Sequence, residues 1–431
     1  MPFFIIFLLL TLTYLAFSNL TDLYIFYRMI DNGFILFSVI LIMVFTGIVI
    51  LRYLALMFFS IFKVAIKTEI QMKQKVFHTH LRVSIIVPAY NEEVVIGRSI
   101  ISLLEQTYPN MEILVVDDGS KDGTYRNAKR YEGHKVKVIT KPNGGKSRAI
   151  NTGIAHASGD LVMVVDADSR LNHDAVGLMV QYFENQNIAA VAGSVYVVNQ
   201  VNSITRLQAL EYIEGLNMVR NGQSFLKLVN IIPGPIGMFR VEALQKVGLY
   251  DHDTFAEDCD VTLKLLAEGY SVDFESDAIA YTEAPEHLLD LIKQRYRWTR
   301  GILQAIRKHR GFLFHTKGRP SMTLVLWYML FESIVWPFMD VFATIFLLYI
   351  TLITGVNSLL FFWWSLFTVL DLAGALYCVL ITREKLSLVF YAILYRLYFI
   401  GIINLAKIFA TIEEWFGIGM TWGKLDRKGR I

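Results

Sequence analysis

The strongest constraint on this chain is where charge is missing. Residues 1 to 62 carry only Asp22, Arg28, Asp31 and Arg52 as charged side chains. Within them, "PFFIIFLLLTLTYLAFSNL" and "FILFSVILIMVFTGIVIL" are each close to the roughly 20 apolar residues that cross a bilayer. The "DNG" between them reads as a turn. A signal peptide would need a basic leading region and a small-residue cleavage site, and the first run has neither. Apolar runs return at 322 to 353, 356 to 381 and 386 to 411, long enough for at least three further membrane segments. The hydrophobic content of 54% is above the usual soluble level of about 45–50%. The pattern excludes a simple soluble protein and predicts two membrane regions with something else between them.

Charge sets the expected orientation. "KVAIKTEIQMKQKVFHTHLR" holds Lys63, Lys67, Lys73, Lys75 and Arg82 against Glu69 alone, so the positive-inside rule puts the N-terminus and residue 63 onward in the cytoplasm. The tail "WGKLDRKGR" is also basic and favours the same side, whereas three simple crossings would put it outside. The interruption "ESIVWPFMD" resolves the parity if 322 to 335 lie on the interface or if 322 to 353 form a hairpin. Arg396, costly in lipid, either lines a polar path or pairs with an acid such as Asp371. Cys259 and Cys378 give no disulfide framework and fit a reducing compartment. A net charge of +3 with no basic stripe interleaved with aromatics gives no sign of a nucleic-acid partner.

From residue 83 to about 320 the pattern alternates. "VSIIVPAY", "EILVVDDGS", "HKVKVITKP" and "LVMVVDAD" read as buried strands, and residues 94 to 105, 122 to 131 and 145 to 157 as helices between them. Such alternation implies an α/β domain with a mainly parallel sheet and flanking helices. Ligands bind beyond the carboxyl ends of strands in such sheets. Pro88, Ala89, Tyr90 and Glu92 follow the first strand, Asp117 and Asp118 the second, Lys141 to Lys146 the third, and Asp166 and Asp168 the fourth.

Several carboxylates in one crevice repel an anionic ligand unless a divalent cation intervenes, and hard oxygen ligands favour Mg²⁺ or Mn²⁺. A diphosphate bridged by that metal would account for "DAD". "DDGS" is also an ordinary turn sequence. "KPNGGK" lacks the spacing of a phosphate-binding loop, but its glycine turn could set Lys146 beside a phosphate. In "AEDCDVTLKLLAEGY", Glu257 and Asp258 are either two acids favoured by a helix dipole or a site containing a general base, for which Asp258 is the choice. "QRYRWTRG" groups Gln294, Arg297 and Trp298 in either an interfacial helix or a binding segment.

Taken together, "VPAYNEE", "DDGS", "NGGK", "DAD", "GPIGMFR", "EDCD" and "QRYRW" resemble, in order and across residues 83 to 301, the membrane-embedded family 2 processive glycosyltransferases. These make cellulose, chitin, hyaluronan and poly-N-acetylglucosamine. The resemblance implies a GT-A type domain embedded in a multi-span α-helical membrane protein. It gives Pro88, Ala89, Tyr90, Glu92, Asp117, Asp118, Lys146, Asp166 and Arg297 to the nucleotide sugar. Asp166 and Asp168 look like the Asp-x-Asp motif, with Asp168 on the metal. Asp258, with Glu257, looks like the base of a Thr-Glu-Asp motif in which Ala256 replaces the usual Thr. Gly234, Pro235, Gln294 and Trp298 are implied at the acceptor and polymer.

The implied organisation is two transmembrane helices in 1–62, a basic linker at 63–82, a cytoplasmic catalytic domain at 83–320, membrane or interface helices at 321–415 and a basic tail at 416–431. The implied function is an inverting processive synthase that moves N-acetylglucosamine from its UDP donor onto a polysaccharide and extrudes it across the cell membrane. The layout looks most like poly-β-1,6-N-acetylglucosamine synthases. The implied partners are donor, acceptor and bilayer, with room for a small membrane subunit. The alternatives are a hyaluronan, chitin or cellulose-like synthase, or a non-processive transferase to polyprenyl phosphate. A nucleotide-sugar sensor or transporter would leave Asp258 without a purpose.

Overall fold

The computed structural model describes residues 24, 28, 31–73, 80–315, 318–355, 357–419 and 429–431. The first apolar run, Lys75, Trp422 and Gly423 lie outside the described residues. The second apolar run is a single helix of 41 residues, α1 (Gly33–Lys73), which continues beyond residue 62 into the basic segment expected as a linker.

Strands β1 (Val83–Ala89), β2 (Met111–Asp117), β3 (Val136–Thr140) and β4 (Leu161–Val164) form where the apolar runs predict them. They pair in parallel, with β2 and β4 flanking β1 and β3 outside β2. The connecting helices are α2 (Ile96–Leu104), α3 (Thr124–Lys129) and α4 (Lys146–His156). Every residue of β1 is buried because alternate side chains serve two layers. Val83, Ile85 and Val87 pack with Ile96, Ile100 and Leu103 of α2, and Ile86 packs with Ile150 and Ile154 of α4. Each such side chain contributes about 1.5–3 kcal/mol by leaving water.

The sheet then changes character. The chain continues through β5 (Ser169–Leu171), α5 (Ala175–Val180), β6 (Ile188–Val197), α6 (Ser203–Ile213), a π-helical turn at Glu214–Val219 and α7 (Arg220–Phe225). It goes on through β7 (Gly237–Arg240), α8 (Val241–Lys246), α9 (Glu257–Glu268), β8 (Ser271–Thr282) and α10 (Leu288–Lys308). Among the described residues the sheet has eight strands in the order β3-β2-β1-β4-β7-β6-β8-β5. β7 is antiparallel to both β4 and β6, and β5 to β8, while β6 and β8 are parallel. The sheet is therefore mixed, with its purely parallel half at the strands the sequence pattern identifies.

Ion pairs tie α1 to this sheet. Lys63 Nζ lies 2.8 Å from Asp273 Oδ1 on β8, and Lys227 reaches the other oxygen of the same carboxylate. Lys67 pairs with Glu275 and lies 2.8 Å from Asp277. Burial would raise the Asp273 carboxyl, but Lys63 and Lys227 outweigh it and hold it below the ordinary carboxylate range.

Four described helices are long and apolar enough to cross a membrane: Gly33–Lys67, Pro320–Thr354, Ser358–Thr382 and Leu386–Trp415. Pro320–Thr354 is continuous, so the hairpin expected as one solution at 322 to 353 does not form. A π-helical turn at Phe331–Val335 precedes Pro337, which sits in the first turn of the next segment, where its missing N–H costs least. Arg396 takes the acid-pair alternative, its Nε donating to Asp371 Oδ2 at 2.7 Å with Asp340 at 3.7 Å.

Candidate active site

A small cavity lies among Lys146, Pro233, Gly234, Tyr250, Glu257 and Asp258, with Val164 at the end of β4 in its lining. The ends of β1 and β2 lie at the same edge of the sheet as the end of β4, beside this cavity's lining rather than in it. Pro88 and Ala89 are buried at the end of β1, and Tyr90 emerges with 39% exposure. The loop behind Tyr90 is fastened to the one after β2: Asn91 N–H donates to Ser120 Oγ, and Glu92 N–H to Thr124 Oγ1.

Asp117 and Asp118 are both almost fully buried, and their oxygens are used locally. Asp117 accepts from Thr140 Oγ1 at 3.0 Å. Asp118 accepts from the backbone N–H of Gly144 at 3.0 Å and of Gly145 at 2.7 Å, and pairs with Lys141. A carboxylate with this many donors is a fixed part of the loop. It pins the glycine turn that delivers Lys146 at the start of α4.

Lys146 bridges the two acidic motifs. Its Nζ lies 2.6 Å from Asp166 Oδ1 and 3.0 Å from Glu257 Oε1. Burial would lower its ammonium, but Asp166, Glu257 and Asp258 outweigh that and hold it well above its ordinary value. The backbone of Gly234 passes directly over this pair. A Cβ there would lie 2.8 Å from Lys146 Nζ and 3.0 Å from Asp166 Oδ2, so only glycine leaves the space open. Pro235 follows, half-buried, in the same loop.

Asp258 lies in the first turn of α9, where the helix dipole favours acids. Its Oδ1 accepts the Cys259 N–H at 2.8 Å. Burial and the adjacent Glu257 charge push the Asp258 carboxyl up to about 6, against the opposing pull of Lys146. Such a group is mostly ionised at neutral pH and can accept a proton. Burial, helped by Glu257 and Asp258, also raises the Tyr250 hydroxyl well above its ordinary value.

As for a metal, Asp166 and Asp168 offer hard oxygens, with Lys146 Nζ standing 2.6 Å from Asp166 Oδ1. That donor set fits Mg²⁺ or Mn²⁺. A second acidic group, Asp251, Asp253 and Asp260, has ligand-like spacing, but Lys308 Nζ already stands 2.6, 2.9 and 2.8 Å from its three carboxylates.

Helix α10 forms the side toward the membrane helices. Gln294 is buried, Arg297 half-buried and Trp298 37% exposed. Three contacts on this side are tertiary and are not given by the spacing of the motifs. Arg295 sits 4.4 Å from the Trp298 ring centroid and pairs with Glu211 of α6, which fixes the indole face. Lys308 and His309 hold Asp260, binding α10 to the helix that carries Asp258. Burial would raise the Asp260 carboxyl, but these two partners keep it below its ordinary range. Ala256, the departure from the expected Thr, meets the backbone of α10 at Gly301, where a Cβ would lie 2.6 Å from the Ala256 methyl.

Comparison with known proteins follows the same outline. Residues 84–248 match the glycosyl transferase family 2. Poly-beta-1,6-N-acetyl-D-glucosamine synthase of Staphylococcus epidermidis is 30% identical over 259 residues, covering 59% of this chain and 62% of that protein. The protein of the same name from Staphylococcus aureus (strain COL) is 30% identical over 256 residues, covering 59% and 61%. The matched region thus spans less than two thirds of the length of these relatives. Among solved structures, a mannosyltransferase from Pyrobaculum calidifontis in complex with GDP-Man and Mn²⁺ shares the fold, with a TM-score of 0.59 at 20% identity over 84% of this chain and 100% of that one.

Proposed function

We propose, from the premise that residues 84–248 are a family 2 glycosyltransferase domain, that the whole chain is an inverting, processive polysaccharide synthase. It transfers N-acetylglucosamine from UDP-N-acetylglucosamine to a growing β-linked polymer of the poly-β-1,6 type and passes the product across the cell membrane. The catalytic domain, 83–320, faces the cytoplasm. The observation that carries this reading is the grouping of Lys146, Glu257 and Asp258 at one cavity, with Asp166 on Lys146 and with α10 packed through Gly301 against Ala256 at the start of α9. The 30% identity to two synthases supports the choice of sugar and linkage.

In this mechanism the acceptor hydroxyl attacks the anomeric carbon while the bond from that carbon to the diphosphate oxygen breaks, inverting the centre. Asp258 receives the hydroxyl proton, and the bonding pair leaves with UDP. Lys146 and Arg297 stabilise the departing charge. Mg²⁺ or Mn²⁺ held by Asp168 and Asp166 would supply further charge neutralisation at the diphosphate. Pro88, Ala89, Tyr90 and Glu92 shape the donor pocket, with Asp117 and Asp118 fixing its loops. Gly234, Pro235 and Gln294 border the acceptor, and Trp298 offers it an apolar ring face.

The test is incubation of the purified protein in lipid with Mn²⁺ and labelled UDP-N-acetylglucosamine alone, followed by sizing and linkage-specific digestion. The expected product is high in molecular weight and sensitive to a β-1,6-specific hydrolase. Polymer formed only from UDP-glucose or with UDP-glucuronate would reassign the sugar, and single-sugar transfer to lipid would overturn processivity.

A further inference from the structure

Helix α10 stands between two elements that the mechanism above treats separately. On one side is the segment that enters α9, the helix of Asp258. On the other is the end of the membrane helix Leu386–Trp415. The half-buried Gln304 touches both. Its Oε1 accepts the Phe255 N–H at 3.1 Å, and its Nε2 donates to Glu414 Oε2 at 3.1 Å. Phe255 precedes Ala256, Glu257 and Asp258 directly.

Neighbouring contacts fix both ends. At the catalytic end, Gly301, one turn before Gln304, brings the α10 backbone against the same peptide. A Cβ there would lie 2.7 Å from Ala256 N and 2.9 Å from the Phe255 carbonyl carbon. One turn after Gln304, Lys308 Nζ lies 2.8 Å from Asp260 Oδ2. At the membrane end, Glu414 is buried, and Arg300 Nε and Arg307 Nη1 stand 3.0 and 3.1 Å from its two oxygens. Arg300 Nη2 also donates to Ile418 O at 2.6 Å. A carboxylate with charge-assisted partners from one helix is fixed to that helix. The membrane helix of Glu414 also carries Arg396 and Asn404, which pair with Asp371 and Asp340 inside the bundle. Asn404 and Glu414 share one continuous helix, about 15 Å apart along its axis. A single rigid element therefore joins the polar pairs of the bundle to Gln304.

We propose that Gln304 is a positioning residue: through Glu414 it sets Asp258 against the last membrane helix, so that the transfer step depends on where that helix stands. Gln304 acts on the Phe255 peptide, and the entry to α9 follows that peptide. This rests on Asp258 being the base. Transfer is sensitive to such placement, because a shift of about 1 Å in a catalytic group costs up to about a hundredfold in rate. A helix displaced by product in the bundle would thus alter the base's alignment without touching the donor loops.

The test compares the full-length wild type, Gln304→Met, Gln304→Glu and Glu414→Gln in lipid with Mn²⁺ and UDP-N-acetylglucosamine. It reads kcat, donor KM and calorimetric UDP affinity, the last reporting that each protein is folded. Gln304→Met removes both hydrogen bonds and should lower kcat about tenfold, the scale of a misplacement below 1 Å, with donor KM and UDP affinity unchanged. Gln304→Glu keeps an oxygen for Phe255 but cannot donate to Glu414, and should lose kcat to a similar extent. Glu414→Gln, whose amide oxygen still accepts from Gln304, should stay near wild type. A wild-type kcat in Gln304→Glu would mean that capping Phe255 is enough and would overturn the proposal. So would a wild-type kcat in Gln304→Met, or a loss confined to donor KM. A loss in Glu414→Gln equal to that in Gln304→Met would assign the effect to the ion pairs with Arg300 and Arg307, and overturn it too. If Gln304→Met fails to bind UDP, Gln304→Glu decides by its kcat. If the wild type makes no product from this donor, the sugar assignment fails separately, and the same kcat comparison is made with the UDP-sugar that it does turn over. Near-normal turnover in Asp258→Asn would remove the base itself, whereas an inactive Asp258→Asn beside a wild-type Gln304→Met overturns this proposal alone.

Discussion

The donor wall and the junction with α1 handle buried charge in opposite ways. At the donor wall, the loop after β2 is neutralised by the loop after β3, and the charges at the cavity by one another. Asp118 takes its donors from residues 141 to 145, and Lys146 is shared between Asp166 and Glu257 across the cavity. At the junction, Asp273 of β8 is neutralised by Lys63 from α1, 210 residues earlier, and by Lys227. Local pairing builds a rigid site. Long-range pairing fixes how the site is mounted on the membrane helix, so breaking each should damage different observables.

The largest expected effect is at the proposed base. Asp258→Asn should lower transfer by about a thousandfold or more, in the range of general-base losses, while UDP affinity stays near wild type. Near-normal turnover would remove Asp258 from that role. At the junction, Asp273→Asn should leave transfer chemistry intact in the folded protein but cost about 3 kcal/mol of stability, as expected when one partner of a buried ion pair is removed. Thermal unfolding in lipid would read this as a lower midpoint. Because the folded Asp273 carboxyl lies below its ordinary value, its contribution is fully present above about pH 4 and is lost as pH falls through the lowered value.

Effects on donor binding should be smaller. Asp168→Ala should weaken Mn²⁺-dependent UDP binding by about tenfold to a hundredfold, a scale seen when ligand environments are disturbed. Unchanged affinity in Mn²⁺ would count against its place on the metal. Gly234→Ala forces a methyl against Lys146 Nζ and Asp166. It should lower kcat/KM for the donor about tenfold through misplacement of those two groups, with stability nearly unchanged.

The same contrast explains what the sequence makes legible. β1 to β4 and their helices are readable because their apolar runs and turn residues are local signals. β8, "SVDFESDAIAYT", contains Asp273 and Glu275 at buried positions, which argues against a core strand until lysines from α1 are brought beside them. Of the short-motif residues, Lys146, Asp166, Gly234, Glu257 and Asp258 come together, while Asp117 and Asp118 are loop fasteners by geometry. Tyr250 lies outside those motifs, and Arg295, though inside "QRYRW", acts through its tertiary neighbours Trp298 and Glu211. The Asp251–Lys308 spacing is equally invisible in one dimension.

The central claim is that Asp258, beside Glu257 and Lys146 at the cavity, takes the acceptor proton. The most direct measurement is the pH dependence of initial transfer rate at saturating donor and Mn²⁺ in lipid, with UDP binding followed at each pH. The account predicts a rate that falls as pH drops through about 6, the value to which burial and Glu257 push this carboxyl, while UDP remains bound. A rate constant down to pH 4.5 with UDP still bound would contradict it.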